Sequence, residues 1–318
     1  MDPDSEVVFD FPPFLRLYKN GSVHRLVGND YIPAGIDPST GVVSKDVLID
    51  PSTVLSARLY LRGRSASTRR PILVYCHGGA FVIESAFSPT YHTFLNNLVA
   101  QTDVVAVSIE YRRAPEHPLP AAYDDAFTVL RWVASHAEAG GGSGQTWLAE
   151  RGDFGRLFLA GDSAGGNIAH NILVRTRAEP LENEVKVAGL LLIHPFFWGK
   201  EAVGSEPTDP VFRQWLETTW GFVCGWSAGI EDPRVDPFRD EAALRELPCR
   251  RVLVSITEMD WFRERGKEYY ERLRASGWEG EAELVETAEE EHVYFLSKPK
   301  CDKALAEMAR FVAFIARD

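Results

Sequence analysis

The segment RLFLAGDSAG, residues 156–165, decides the fold because it joins a strand pattern to a helix pattern through a sharp turn. The apolar residues before Gly161 predict a buried strand, and those from Ala164 onward have helical spacing. In such a strand–turn–helix, small residues let the backbone bend tightly and hold the hydroxyl of Ser163 out at the edge of the sheet. The N–H of Ala164 then faces an oxyanion formed on an attacked carbonyl. The segment therefore predicts a nucleophilic serine.

Strand-like and helix-like segments alternate around this turn, from about residue 43 to the end of the chain. The predicted strands cover residues 44–49, 55–61, 72–76, 104–110, 157–160, 187–193, 252–256 and 281–286. The predicted helices cover residues 88–101, 121–136, 164–177, 263–276 and 303–316. This alternation predicts one α/β domain over residues 1–318, with a mostly parallel central sheet and helices on both faces.

Two aromatic-rich regions, residues 1–42 and 196–230, interrupt the alternation. One interpretation is ordinary packing of an insertion. The other is a small helical cap, or lid, over the carboxyl ends of the strands, where open α/β sheets bind ligands. On the second interpretation we expect five aromatic side chains to line a substrate pocket: Phe81, Phe197, Trp215, Trp220 and Tyr294.

The composition limits the partners and the location of the chain. The formal net charge of −12 over 318 residues argues against nucleic acid or an anionic membrane as a partner. The four cysteines have no metal-ligand spacing, so no metal site is predicted. The acidic amino terminus has no apolar signal region and no apolar stretch is long enough to span a bilayer, so we expect a cytoplasmic protein. Residues 139–144 are expected to form a glycine-rich surface loop, and the sequence leaves the oligomeric state open.

A serine nucleophile needs a histidine base, and that histidine needs a carboxylate to fix its tautomer. When the serine sits on a strand–turn–helix, the acid and then the histidine follow it in the chain. His170 is two turns down the helix from Ser163, too deep to reach the hydroxyl. His194 precedes every acid that follows a later strand. His292, in the loop after the last predicted strand, remains as the base.

Several carboxylates could serve as the acid. Asp260 follows the strand 252–256, at the edge of the sheet where Ser163 and His292 are expected to meet, and it is the preferred candidate. Glu258 is the second choice. Three further aspartates lie in a turn-rich stretch and are expected to cap helices or bond locally: Asp232, Asp236 and Asp240.

An oxyanion hole needs further N–H donors from a loop after an early central strand. His77-Gly78-Gly79-Ala80-Phe81 follows the strand 72–76 in that position. Its glycines let the backbone approach a substrate closely, so Gly78 and Gly79 are predicted to present N–H groups beside that of Ala164. The alternative, a simple glycine turn, is disfavoured because the loop occurs together with the serine turn.

The chain resembles the plant carboxylesterase family, in the hormone-sensitive-lipase-like branch of the α/β-hydrolase superfamily, almost from end to end. The motifs that carry the resemblance are HGG (77–79), YRRAPEHPLPA (111–121), GDSAGG (161–166), DPR (232–234), EEHV (290–293) and the stretch 5–28. The resemblance implies an α/β-hydrolase fold, a triad of Ser163, Asp260 and His292, and a lid formed partly by the amino terminus. It also implies a hole built on Gly78, Gly79 and Ala164, and no cofactor.

The chain departs from the family pattern at two places. Ala80 replaces a third glycine, which narrows the oxyanion loop. Glu289 stands where the family often has glycine before the histidine, and Glu291 adds a second carboxylate. We expect carboxylates near the His292 ring to favour its protonated form and raise its pKa, so that the acidic limb of activity lies near or above pH ~6.5.

Three functions compete. The first is a serine carboxylesterase that acts on small apolar esters, of short to medium acyl length, through an acyl-enzyme. The second is a small-molecule receptor like the gibberellin receptors, which resemble this family but lack the catalytic histidine. The third is a hydro-lyase like the hydroxyisoflavanone dehydratases, which use threonine at the nucleophile position. Ser163 and His292 favour the esterase. An acyl-transferring or lactone-forming variant is a further alternative, because a dry pocket lets an alcohol compete with water.

Overall fold

The computed structural model describes residues 6–63, 69–138 and 146–317. In these ranges a central sheet of eight strands forms the middle layer of the molecule. Its strands are β4 (Val42–Asp50), β5 (Leu55–Arg62), β6 (Arg70–Cys76), β7 (Val105–Glu110), β8 (Gly152–Asp162), β9 (Val187–Ile193), β10 (Arg251–Thr257) and β11 (Glu281–Thr287).

The strand order is β11-β10-β9-β8-β6-β7-β5-β4. The six strands β6 to β11 run parallel, whereas β5 pairs antiparallel with β7 and β4 antiparallel with β5. The carboxyl ends of β6, β8, β9, β10 and β11 therefore meet at one edge. The mostly parallel sheet predicted from the alternation is confirmed.

Helices cover both faces of the sheet. They are α1 (Pro89–Thr102), α2 (Ala121–Ser135), α3 (Thr146–Arg151), α4 (Ala164–Arg175), α5 (Pro210–Val223), α6 (Glu241–Arg245), α7 (Arg263–Ala275), α8 (Tyr294–Ser297) and α9 (Asp302–Ala316). Alternate residues of β6 point to opposite faces, as the pleat of a strand requires. Val74 belongs to the apolar core shared with α2, α4 and α7, and Leu73 to the core shared with α1 and α9. None of the helices in the described ranges has the length and apolar character that crossing a membrane requires.

The amino-terminal region forms a separate small sheet that the alternation did not predict. It consists of β1 (Val7–Phe11), β2 (Leu15–Tyr18) and β3 (Val23–Arg25), paired antiparallel in that order. Phe9 stacks on Phe222 of α5 with ring centroids 4.0 Å apart, and Phe11 lies 5.7 Å from Trp215 of the same helix. The two aromatic-rich regions thus pack against each other. The first five residues and the predicted glycine-rich loop at 139–144 lie outside the described residues.

Candidate active site

Ser163 occupies a strained backbone position between β8 and α4. Its φ of 51° and ψ of −121° are unusual for a residue with a side chain. The turn is tight enough that a Cβ on Gly165 would lie 2.0 Å from the carbonyl oxygen of Cys76, and one on Gly161 would lie 2.3 Å from Gly165. Only glycine fits at these two places. The N–H of Ser163 donates to the carbonyl of Ile193 on the neighbouring strand, 2.9 Å away, which fixes the turn to the sheet.

The structure brings Ser163, His292 and Asp260 together at the carboxyl edge of the sheet. Nε2 of His292 lies 2.8 Å from the Ser163 hydroxyl, and Nδ1 lies 2.6 Å from Oδ2 of Asp260. Asp260 is buried and also accepts a hydrogen bond from the Phe262 N–H at 2.9 Å. A carboxylate cannot donate, so the Nδ1 proton of His292 points to Asp260. Nε2 is then free to accept the proton of the Ser163 hydroxyl.

The charges around His292 favour its protonated form. Burial lowers the pKa of His292, but the charge and hydrogen bond of Asp260, with Asp162 nearby, outweigh burial and raise it above the ordinary 6.5. Burial raises the pKa of Asp260, yet His292 holds it below the ordinary 3.8. The pKa of His292 is raised, as predicted, but Asp260 and Asp162 are the cause. Glu289, which was expected to raise it, turns to solvent and pairs with Lys303 at 3.2 Å.

A second buried histidine–carboxylate pair, His194 and Glu307, is bonded to the loop that carries His292. His194 accepts a hydrogen bond on Nδ1 from the N–H of Val293, 2.9 Å away, so its proton is assigned to Nε2, which lies 3.1 Å from Oε1 of Glu307. Ser255 donates to the same oxygen. Burial raises the pKa of Glu307, but the hydrogen bond and charge of His194 hold it below the ordinary 4.5. Val293 has a φ of +47°, a rare conformation for a β-branched residue, so the pair anchors a strained position next to His292.

The other carboxylates considered as the catalytic acid bond other groups. Glu258 accepts from the N–H of Glu289 at 2.8 Å. The three aspartates of the turn-rich stretch bond locally, to Arg234, Phe238 and Ala243. His170, on α4, lies 3.1 Å from the Tyr269 hydroxyl, and burial lowers its pKa to about 4.

The loop after β6 adopts three consecutive left-handed conformations. Gly79, Ala80 and Phe81 have φ values of 99°, 52° and 63°. Gly79 and Ala80 lie at the wall of the cavity that contains Ser163. No hydrogen bond among the described residues uses the N–H of Gly79, Ala80 or Ala164. The hydrogen-bonding capacity of these three N–H groups is therefore unused within the described part of the protein.

Gly78 differs from the prediction that placed its N–H in the oxyanion hole. Its N–H donates to the Tyr91 hydroxyl at 2.8 Å and lies 3.1 Å from Oδ1 of Asp162. Asp162 also accepts from the hydroxyls of Tyr75, at 2.7 Å, and Tyr91, at 2.8 Å. These bonds tie the oxyanion loop to the serine turn. The Gly78 N–H differs from the prediction because it bonds the buried Asp162 carboxylate and so points away from the cavity. The next two residues, Gly79 and Ala80, lie at the cavity wall instead.

The cavity above Ser163 has a volume of about 650 Å³. Its wall is mostly apolar and draws on the small sheet, α5 and the loops after β6, β10 and β11. The apolar lining residues are Phe11, Phe14, Ala80, Ile83, Phe196, Trp215, Leu216, Met259, Trp261, Phe262, Val293 and Leu296. A larger groove of about 1440 Å³ lies at the amino ends of β8 to β11 and contains none of the predicted site residues.

Of the five aromatic residues predicted to line the pocket, the structure places only Trp215 at the cavity wall. The other four are fully buried in the layer behind it. Phe81 and Trp220 pack edge to face at 6.1 Å, Phe197 stacks on Tyr269 at 5.3 Å, and Tyr294 stacks on His194 at 6.2 Å. These four predictions are wrong because aromatic density marks a packed region without showing which rings face its cavity.

Two lining residues that the sequence reasoning missed follow Asp260 directly. Trp261 is 54% exposed, although it is a large apolar side chain, and Phe262 packs edge to face on the His292 ring at 5.3 Å. An aromatic pair immediately after a predicted catalytic acid is a signal that could have placed them at the cavity.

A metal ion would compete with the hydrogen bonds of this site. Ligand atoms of His194, Asp260 and His292 lie within 4.8 Å of one another. However, His292 and Asp260 bond each other, and both nitrogens of His194 have partners. The arrangement therefore fits proton transfer along hydrogen bonds better than metal coordination.

Comparisons with known proteins agree with the fold. A family model described as the α/β hydrolase fold matches residues 73–296. The chain is 44% identical to a probable carboxylesterase of Arabidopsis thaliana over 99% of both chains. It is 42% identical to a chloroplastic tuliposide A-converting enzyme of Tulipa gesneriana, over 98% of this chain and 79% of that one.

Solved structures share the architecture. A thermophilic carboxylesterase cloned from a metagenomic library has a TM-score of 0.67 and 27% identity, with 90% of each chain covered. A thermostable esterase from Pseudomonas putida has a TM-score of 0.70 at 22% identity, over 89% of this chain and 85% of that one. The second likeness concerns the fold alone.

Proposed function

The chain belongs to the α/β-hydrolase-fold family and resembles its plant carboxylesterases, and on that premise we propose that Ser163, His292 and Asp260 are the catalytic triad of a serine carboxylesterase. That the protein is a carboxylic-ester hydrolase follows from its relatives. The observation that supports the residue roles is the unbroken hydrogen-bond chain from the Ser163 hydroxyl through His292 to Asp260.

The reaction follows from the position of each proton. Ser163 Oγ attacks the ester carbonyl while Nε2 of His292 takes its proton, and Asp260 stabilises the resulting imidazolium. His292 then returns the proton to the leaving alcohol, and the acyl group remains on Ser163. Water attacks this acyl-enzyme with His292 again as base, and the acid is released.

The oxyanion of each tetrahedral intermediate is assigned to the N–H groups of Gly79, Ala80 and Ala164. All three are without acceptors among the described residues, and the first two lie at the cavity wall. Such donors stabilise the transition state because they are fixed before charge develops. Loss of one typically costs about 3–4 kcal/mol.

The substrates proposed are small esters with an apolar acyl group of short to medium length. The support is the volume of about 650 Å³ and the aromatic wall. We also propose that the small sheet and α5 act together as a lid, because both contribute to this wall and pack on each other. The contact between His292 and Ser163 disfavours the receptor and hydro-lyase alternatives, since neither function needs an activated serine.

The test is a panel of p-nitrophenyl esters of increasing acyl length, assayed on the wild type and on Ser163→Ala. We expect the substitution to lower kcat by about 10⁶-fold, as removal of a triad serine does. Undiminished hydrolysis by Ser163→Ala would reject the triad. A steep fall in kcat/KM between two acyl lengths would measure the depth of the cavity.

Cytoplasmic location stays a prediction. Two similar relatives are named chloroplastic and another mitochondrial, so the location differs within the family.

A further inference from the structure

Most polar side chains at the cavity wall have a partner within the protein. Asp260 bonds His292, Asp162 bonds Tyr91, and the Thr219 hydroxyl donates to a backbone carbonyl on α5. Within the described part of the chain, Glu84 and Glu291 have no such partner, but Glu291 is exposed to solvent whereas Glu84 is half-buried. Oε2 of Glu84 is buried and accepts no hydrogen bond from the described residues. An unsatisfied carboxylate at the wall of a largely apolar cavity needs an explanation.

The backbone of Glu84 is held in an unfavourable conformation. Its φ of +66° lies in the left-handed region, which side chains rarely adopt. Gly28 approaches so closely that a Cβ there would lie 2.7 Å from the N atom of Glu84. In addition, the Arg113 guanidinium donates to the Glu84 carbonyl oxygen. Strained residues that the surrounding structure fixes in this way cluster at ligand-binding sites.

The Glu84 charge lies close to the catalytic machinery. Burial and the Asp162 charge raise the pKa of the Tyr91 hydroxyl, and the Glu84 charge adds to this effect. Tyr91 in turn accepts the Gly78 N–H that anchors the oxyanion loop. Glu84 and Ser163 line the same cavity, so a substrate held at Ser163 lies in the space that Glu84 borders.

We propose that Glu84 binds a hydrogen-bond donor on the substrate, so that the preferred esters are apolar molecules that carry one hydroxyl or ammonium group. The inference rests on the esterase function proposed above. A carboxylate is acceptor-only, so the ligand must supply the donor. The apolar wall accommodates the remainder of the molecule, which makes a single polar group the feature that Glu84 selects.

The experiment compares matched esters on matched variants. The acyl series consists of p-nitrophenyl esters. The 6-hydroxyhexanoate and the 6-aminohexanoate, which carries the charged donor, are each compared with the hexanoate. The 3-hydroxybutyrate is compared with the butyrate. An alcohol series compares hexyl, 6-hydroxyhexyl and 6-aminohexyl butyrate. The variants are Glu84→Leu, which removes the acceptor, and Glu84→Gln, which keeps an acceptor without charge. Glu289→Gln removes an exposed carboxylate that is absent from the cavity wall and serves as the charge control.

We expect the wild type to prefer at least one donor-bearing ester over its unsubstituted match by about 10- to 100-fold in kcat/KM, the range for a hydrogen bond to a charged group. Glu84→Leu abolishes this preference and Glu289→Gln retains it. Glu84→Gln keeps most of a preference for a hydroxyl but loses one for an ammonium group, which distinguishes the two donors.

Two results would overturn the assignment: no donor-bearing ester is preferred in either series, or a preference survives unchanged in Glu84→Leu. Hydrolysis of the unsubstituted esters is the reference in every variant. Its persistence separates a failure of this inference from a failure of the esterase assignment, which would abolish that hydrolysis in the wild type as well.

Discussion

One contact, between Asp260 and His292, fixes the tautomer of the proposed base and raises its pKa. The 2.6 Å contact places the Nδ1 proton toward Asp260, and the same carboxylate stabilises the protonated ring. The residue order along the chain predicted that these two side chains meet, and the structure places them 2.6 Å apart, because parallel strands have their carboxyl ends at one edge. The sequence could not predict that Gly78 turns inward, since this depends on a buried bond to Asp162.

The pH profile tests the electrostatics of His292. Its raised pKa means that the ring stays protonated, and unable to accept the Ser163 proton, up to a higher pH. We therefore expect kcat/KM for an ester to fall on the acidic side with a midpoint above ~6.5. Asp162→Asn removes one of the charges that raise this pKa, so its midpoint is expected to lie below that of the wild type. A wild-type midpoint clearly under the unperturbed histidine value would contradict this account.

The His194–Glu307 pair is expected to act as a positioning device for His292. Glu307→Ala leaves the Nε2 proton of His194 and the Ser255 hydroxyl without an acceptor, and frees the strained Val293. A shift of about 1 Å in a catalytic group can lower the rate by ~10²-fold, so we expect kcat to fall by about that factor with KM little changed.

Glu307→Gln is the matched variant, because its amide oxygen can still accept from His194. We expect it to recover most of kcat. If both variants lose stability to the same degree but keep the wild-type kcat, the pair supports the fold alone.

At the scale of elements, the strands and helices around the serine turn were predictable within a few residues because their apolar periodicity is regular. The strands of the small sheet and the bounds of α5 were not, although a helical cap was expected over residues 196–230. Their aromatic residues fall on short segments whose burial depends on each other, as in the stacking of Phe9 on Phe222. A pattern read along the chain does not contain that pairing.

The helix α5 provides its own matched control. Trp215 lies at the cavity wall, whereas Trp226, just past the helix, is 64% exposed and packs against Phe222 away from the cavity. We expect Trp215→Ala to raise KM for a butyrate ester by about tenfold, since burial of a large apolar side chain is worth ~1.5–3 kcal/mol. Trp226→Ala is expected to leave KM unchanged. Equal effects of the two substitutions would argue against a wall formed by α5.

For the whole molecule, buried neutral histidines predict sensitivity to acid. Burial lowers the pKa of His77 to about 3 and that of His170 to about 4. Below pH ~6.5 these rings become protonated in the unfolded chain but stay neutral in the folded chain. The free energy of unfolding therefore falls as the pH falls toward 4. Each ring contributes up to about 1.4 kcal/mol per pH unit. His292 acts oppositely, since its raised pKa adds stability at low pH, but that contribution is already complete below ~6.5.

Urea unfolding at pH 7, 6 and 5 measures this effect. We expect the free energy of unfolding to decrease over the series, with the steeper part below pH ~6. His170→Gln, which does not titrate, is expected to show a smaller decrease than the wild type. A free energy that stays constant or rises toward pH 5 would show that the two rings are not held neutral in the fold.

The most direct test of the central claim is covalent labelling with diethyl p-nitrophenyl phosphate, followed by peptide mass spectrometry. In the proposed site the Ser163 oxygen attacks phosphorus, p-nitrophenolate leaves, and one diethylphosphoryl group stays on the serine. We predict a single label on Ser163 that accumulates in step with the loss of ester hydrolysis, and no label at the active site of Ser163→Ala. Hydrolysis that persists after Ser163 is fully labelled, or activity lost through a label on a different residue, would contradict the account.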